Sequence, residues 1–254
     1  MYAMRVDYDD HQHRVYSRAR TPTAENARRW AGVFARFVPQ GATVIDIGAG
    51  TGAYSRLLAE ELGATVVAVE PSDRMRAAAE RDNPHPRVRY VAARAEALPV
   101  DDAWADGALL SHVLHHIGDR EAAVTELRRA LKPGGVALVR GSLRDRVEAV
   151  PHFRYFPDAV EIARRQFPST AEVTDLFSAG GFELAASEAL IQAAAPSLAE
   201  FAETLALRAV STLELLDDDA FEAGMRRLRA AAAAETEPKP VLEPMGLLVF
   251  RRPV

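Results

Sequence analysis

The segment VIDIGAGTGAYSRLLAEELGATVVAVEPS, from Val44 to Ser72, constrains the fold more than any other stretch of the chain. It opens on an apolar run, turns through glycines at 48, 50 and 52, continues with a helical pattern, and closes on a second apolar run that ends in Glu70. A strand, a tight turn, a helix and a second strand in so few residues make a crossover unit, and such a unit joins parallel strands with a right-handed connection. The rhythm continues. Apolar runs at 43–48, 65–70, 88–93, 107–113 and 136–142 alternate with helical patterns at 53–62, 72–82 and 119–131, the last of these stopped by Lys132-Pro133-Gly134-Gly135. A mostly parallel sheet with helices packed on it is the expectation.

Outside that core the pattern changes. Ala27, Trp30, Ala31, Phe34, Phe37 and Val38 recur at three- and four-residue steps, which predicts a docked helix over 24–39. After residue 142, helices are expected at 156–167, 170–182, 197–210 and 217–235, with strands around 182–193 and 245–252. The excursion of about fifty residues between the last two strands is long for a simple connection, and reads as a helical cap over the active face. EPKPVLEP (237–244) is linker-like, and there is no internal repeat.

Composition limits the partners. The 254 residues are 48% hydrophobic and 26% charged, enough for one large domain or two small ones. The formal charge is −5, and basic residues cluster no further than pairs such as Arg226-Arg227 and Arg251-Arg252, so no nucleic-acid partner is expected. The chain has no cysteine, which removes disulfides, thiolate catalysis and Cys-based zinc sites. Neither an apolar leader nor a spanning run appears, so a cytoplasmic protein without a membrane partner is expected, as a monomer or a homodimer.

GAGTGA (48–53) satisfies G-x-G-x-x-A, and Glu70 stands where a ribose-binding acid belongs, a pattern that admits a nicotinamide dinucleotide. Asp46, two residues before the loop, suits an ammonium group better than a pyrophosphate. With AEALP (95–99), the following DDAWADGALLSHVLHHI and then LRRALKPGGVALV, residues 42–142 closely resemble the class I S-adenosylmethionine (SAM)-dependent methyltransferases. The resemblance implies an α/β, Rossmann-like, seven-stranded and mostly parallel sheet with an antiparallel last strand, an N-terminal flap and a helical cap. It implies one methyltransferase domain over 1–254: flap and helix 1–41, cofactor core 42–143, pocket helices and sixth strand 144–195, cap 196–241, last strand 242–254.

The family's roles carry over by motif. Asp46, Gly48, Ala49 and Gly50 would lie against the methionine part of SAM, Glu70 would bind both ribose hydroxyls, and Pro71 and Ser72 would flank the adenine. Many relatives hold the adenine amino group with an Asp where this chain has Arg94, so adenine recognition would rest on the Ala95 N–H and the Glu96 side chain. In YSRARTP (16–22), Tyr16 and Arg20 resemble residues that close over the SAM carboxylate, an ion pair in the case of Arg20.

Methyl transfer is an in-line displacement in which the protein aligns the partners, excludes water and, for some acceptors, removes a proton. SHVLHHI (111–117) follows the fourth strand, and the carboxyl end of a parallel strand faces the ligand. Ser111 is therefore expected beside the cofactor, with His112 as general base or orienting group and His115 as a second catalytic candidate; His116 is expected mainly to pack the following helix. No metal site is expected. For the substrate, His11 in the flap, Phe153 and Tyr155 after the fifth strand, and Arg208 on a later helix are the candidates, with His13, Leu207 and Ser211 behind them. The expected reaction moves a methyl group from SAM, leaving S-adenosylhomocysteine (SAH), to oxygen, nitrogen or carbon of a small aromatic or heterocyclic specialised metabolite. Two other readings stand beside it: a SAM-binding cyclase or binding protein that transfers no methyl, and a nicotinamide oxidoreductase.

Overall fold

The computed structural model describes residues 22–254. Helix α1 (Ala24–Phe34) starts at Thr23, whose hydroxyl accepts the Asn26 N–H at 3.2 Å, and it buries Asn26, Trp30, Ala31 and Phe34. It ends five residues before the expected boundary. Approaching Pro39 the chain loosens into turns, and Val38 drops into the core instead of continuing the helix.

Strands β1 (Thr43–Ile47), β2 (Thr65–Val69), β3 (Val88–Val91) and β4 (Ala105–Ser111) alternate with α2 (Ala53–Glu61) and α3 (Asp73–Asp82). Helix α4 (Arg120–Ala130) leads into β5 (Leu131–Gly141). Then come α5 (Pro157–Gln166), α6 (Thr170–Ala179), β6 (Glu183–Ala195), α7 (Leu198–Ala206), the single turn α8 (Ser211–Glu214), α9 (Asp218–Ala233) and β7 (Val241–Arg251). The seven strands form one sheet in the order β3-β2-β1-β4-β5-β7-β6. Strands β1 to β5 pair in parallel, and β7 runs antiparallel to both β5 and β6, as the resemblance implied.

Two strands start earlier than their apolar runs. Lys132-Pro133-Gly134-Gly135 was expected to be a helix stop, yet it lies inside β5, because the Gly134 N–H donates to the Arg252 carbonyl at 2.8 Å and the Arg252 N–H to Gly135 at 2.8 Å. The residue after β7 thus ties those glycines to the sheet, with Gly134 in the left-handed region at φ 80°, and β5 has a register shift against β4 between Ala105 and Gly107. Strand β7 in turn takes up half of the linker-like stretch.

Each face of the sheet carries a core. Phe177 of α6 stacks on Phe250 of β7 at 4.2 Å on one face, with Leu127 and Phe182 around them. On the other, Trp30, Phe34, Leu57 and Leu58 cover β1, β4 and β7. A third cluster joins Phe153, Phe156, Phe201, Leu205, Phe221 and Leu228, and binds α5, α7 and α9 into a helical layer. Full burial of one such side chain is worth ~1.5–3 kcal/mol. No helix among the described residues is long and apolar enough to cross a membrane.

Candidate active site

The cleft lies at the carboxyl ends of β1, β2, β4 and β5. Its floor is the loop after β1, where Gly48, Gly50 and Gly52 have φ of 67°, 55° and 80°, the left-handed region open to glycine at little cost. Space demands glycine as well: a β-carbon on Gly48 would run into Val113, and one on Gly52 into the Tyr90 hydroxyl. The Gly48 and Ala49 N–H groups donate to the Val69 carbonyl at 2.8 and 3.1 Å, tying the loop to β2.

Glu70 follows β2 and is 9% exposed. One of its carboxylate oxygens accepts the Gly50 N–H at 3.0 Å and the other the Ser72 N–H at 2.9 Å, so the acid braces both the loop and the start of α3. The cavity beside it, about 140 Å³, is lined by Glu70, Pro71, Met75, Ala95, Glu96 and His116 among others, and can be called the Glu70 lobe. At its far wall the Asp119 N–H donates to Glu96 at 3.3 Å, and a bridge between Arg94 and Ala97 closes the turn that presents Ala95.

A second cavity of about 130 Å³, the Arg140 lobe, opens on the α1 side and is lined by Asp46, Tyr54, Arg140, Gln192 and Glu243 among others. Gly48, Ser111 and His112 line both lobes and form the waist between them. Asp46 is 1% exposed and accepts the Ser55 hydroxyl at 2.5 Å. Burial pushes its carboxyl up to about 7; the Ser55 bond opposes this and the charge of Glu70 adds to it. Next to it, Ser111 and Arg140 are register partners on β4 and β5, and the guanidinium donates to the Ser111 hydroxyl at 3.0 Å. Trp30 Nε1 donates to Gln192 at 2.7 Å and Gln192 Nε2 to Glu243 at 2.7 Å, a chain running from α1 across β6 to β7.

His112 leaves β4 with φ of 55°, an uncommon conformation for a non-glycine residue. Its N–H donates to the Arg140 carbonyl at 2.8 Å, and its ring Nδ1 stands 3.7 Å from where a β-carbon on Gly141 would be. Held strain of this kind costs on the order of 1 kcal/mol or more, and it keeps the imidazole at the waist.

The structure therefore brings Asp46, Gly48, Ala49, Gly50, Glu70, Pro71, Ala95, Glu96, Ser111 and His112 to one cleft. Other candidates stand elsewhere. His115 packs on His116 at 4.0 Å and edge-on to Phe167 at 5.0 Å, and lines neither lobe. Phe153 is buried in the helical layer, and Tyr155 packs against that layer while its carbonyl accepts Arg227 Nε at 2.7 Å. Arg208 clamps the turn before α9: it donates to the carbonyls of Leu213 and Leu216, pairs with Asp218 at 2.6 Å and covers the Phe221 ring. Phe153, Tyr155 and Arg208 thus hold the cap together and line neither lobe. Tyr16, Arg20, His11 and His13 lie outside the described residues.

Arg140, Tyr54, Gln192 and Glu243 escaped the sequence reading. The signal for Arg140 was a charge inside the apolar run VALVRGS; Gln192 and Glu243 gave none, because only the pairing of β6 with β7 makes them neighbours.

A glycine loop beneath a braced acid, at the open ends of parallel strands, belongs to an α/β domain of Rossmann-like build. Residues 45–139 match the family described as the methyltransferase domain, and that match and the sheet order above support the resemblance to the class I SAM-dependent methyltransferases. It is 35% identical over 114 residues to a ubiquinone/menaquinone biosynthesis C-methyltransferase of Caulobacter vibrioides, a match covering 41% of this chain and 45% of that one. The chain thus spans less than half the length of such curated relatives. Among solved structures, a candidate methyltransferase from an antibiotic biosynthesis pathway of Anabaena variabilis superposes with a TM-score of 0.74 at 24% identity, over 92% of this chain and 98% of that one. The [4+2]-cyclase SpnF superposes with a TM-score of 0.63 at 20% identity, over 93% and 85%. At these identities the likeness is one of fold.

Proposed function

We propose that the protein binds SAM across the two lobes and transfers its methyl group to a small molecule, an aromatic or heterocyclic specialised metabolite, in the cytoplasm. The observation that carries this reading is the waist: Gly48, Ser111 and His112 line both lobes, so a ligand lying through the cleft presents its middle to the imidazole. The residues suit the cofactor. Glu70 lines its lobe as a buried carboxylate suited to ribose hydroxyls, and the buried carboxyl of Asp46 faces the side where an ammonium would arrive. Bound there, SAM supplies an electrophilic methyl on a sulfonium.

The chain's own part is positioning and proton movement. Asp46 and the glycine loop fix the amino-acid end, Glu70 fixes the ribose, and the wall formed by Ala95 and Glu96 borders the base. His112, held by the Arg140 carbonyl, receives the acceptor's proton as methyl transfer proceeds, a contribution of ~10²–10⁴ in rate where the nucleophile must be deprotonated.

Thermal shift with SAH, SAM and NAD on the wild type and Glu70→Ala tests the cofactor. SAH is expected to raise the melting temperature and NAD not, with the shift lost in the variant. Stabilisation by NAD alone refutes the methyltransferase reading. Turnover follows from SAH release with an acceptor panel, where His112→Ala should lose at least a hundredfold; equal turnover removes His112 as base. The likeness of fold to a [4+2]-cyclase favours one second reading, SAM held without transfer, and an acceptor consumed with no SAH formed would establish it.

A further inference from the structure

Gln192 and Glu243 are register partners on β6 and β7, and both line the Arg140 lobe, yet the methyl transfer proposed for this cleft gives them no part. The direction of their hydrogen bonds shows what they can hold. Trp30 is fully buried and its Nε1–H can only donate, so the Gln192 oxygen accepts it at 2.7 Å and the Gln192 nitrogen is turned to Glu243, 2.7 Å away. Asn26, 5% exposed, is set in the same manner: its side-chain nitrogen donates to the Ala193 carbonyl at 2.8 Å, and its oxygen is left over. That oxygen and the second carboxylate oxygen of Glu243 take no hydrogen bond from any described residue. Two acceptors, one of them charged and held by a buried indole through an amide, thus meet the lobe without the loose rotamers of a surface glutamate.

Charge and length narrow the ligand. Among the described residues that line the lobe, two acids, Asp46 and Glu243, stand against one guanidinium, Arg140. Gly246 on β7 pairs with Gly141, which lies against His112, and Glu243 comes three residues earlier. Three residues of strand span about 10 Å, the length of an aromatic ring with a short amine arm. Met245 lies between those levels and lines the lobe, as Tyr54 does, which gives such a ring an apolar wall.

We infer that Glu243 and Asn26 select the methyl acceptor, holding an ammonium group on a short arm of an aromatic ring while the ring's reacting atom stands at His112. The inference deepens the methyl-transfer reading and rests on it.

Calorimetry on the SAH-saturated protein with tryptamine, tryptophol and indole-3-propionate tests it, since the three share a ring and a two-carbon arm and differ in the end group. The wild type should bind tryptamine at least tenfold more tightly than tryptophol and reject indole-3-propionate. Glu243→Gln, whose amide oxygen can still accept Gln192, should bring tryptamine within twofold of tryptophol. Asn26→Ala should weaken tryptamine threefold or more, and SAH affinity should stay within twofold in both variants. Should one variant fail to fold, the other carries the comparison. A wild type that takes the three ligands equally, prefers the propionate or takes none overturns the proposal, and so does a preference for tryptamine that survives Glu243→Gln. If Glu243→Gln weakens SAH but not 5′-methylthioadenosine, which lacks the amino-acid end, Glu243 belongs to the cofactor and the proposal falls as well. A wild type that binds neither SAH nor methylthioadenosine refutes the cofactor reading instead, and tryptamine against tryptophol on the free protein then decides the Glu243 site by itself.

Discussion

The two lobes of the cleft are made in different ways. The Glu70 lobe is local: its defining bonds join Glu70 to Gly50, twenty residues away, and to Ser72, two away. The Arg140 lobe is assembled from a distance, with Trp30 reaching Gln192 across 162 positions and Asn26 reaching the Ala193 carbonyl across 167. A local site is specified by a motif and tolerates variation elsewhere in the chain. A distant one depends on the whole sheet being in register.

The sharpest way to break this contrast is Glu70→Ala, which removes the brace from one lobe and leaves the other intact. SAH binding should weaken a hundredfold or more, about 3 kcal/mol, as two charged hydrogen bonds and the ligand's own are lost. Unchanged affinity would mean that the Glu70 lobe is not the nucleoside site. Gly48→Ala comes next, because its new methyl meets Val113 while the backbone stays left-handed; urea unfolding should show a loss of ~2–3 kcal/mol. A loss below ~0.5 kcal/mol would show a loop able to shift.

Asp46 lines the Arg140 lobe, and its test is one of pH. The folded carboxyl titrates near 7 against an ordinary value of 3.8, so between these values the native state binds more protons than the unfolded chain. Stability of the free protein is therefore greatest at low pH as far as this group is concerned, and falls by about 2 kcal/mol as pH rises from 5 to 7.5. Asp46→Asn should flatten that slope, which denaturant melts at a series of pH values would show. Saturating SAH should lessen it too, since an ammonium beside the carboxylate favours the ionised form. The smallest effect is expected of Trp30→Phe, which deletes the bond to Gln192 and should cost ~1–2 kcal/mol in stability while leaving methylthioadenosine binding alone. If nucleoside binding falls as well, the lobes are coupled and the contrast drawn above is too simple.

Legibility followed the same division. Strand positions and the glycine loop were readable because periodicity and φ requirements are properties of neighbouring residues. The entry of Lys132-Pro133-Gly134-Gly135 into β5 was not, since the partner that ties it to the sheet, Arg252, lies over a hundred positions on. Phe153, Tyr155 and Arg208 illustrate another gap. An aromatic or cationic residue near a cleft has the same composition whether it faces ligand or core, and only the packing of α5, α7 and α9 turned these three toward the cap. Arg140 was visible as a charge among apolar neighbours, but what it stands beside was fixed by α1 and α2 together.

Strand β7 lies between β5 and β6 in space but follows both in the chain. During synthesis, the free edge of β5 waits from Gly141 until Val241 and beyond have emerged, with the whole cap produced in between. Domains that emerge from the ribosome fold from the amino end as chain becomes available, and an unpaired strand edge is the part most open to wrong partners. The nascent protein therefore completes its glycine loop early and passes through a stage in which half the cleft exists beside an unfinished sheet, its most aggregation-prone interval and the one in which a chaperone would matter most.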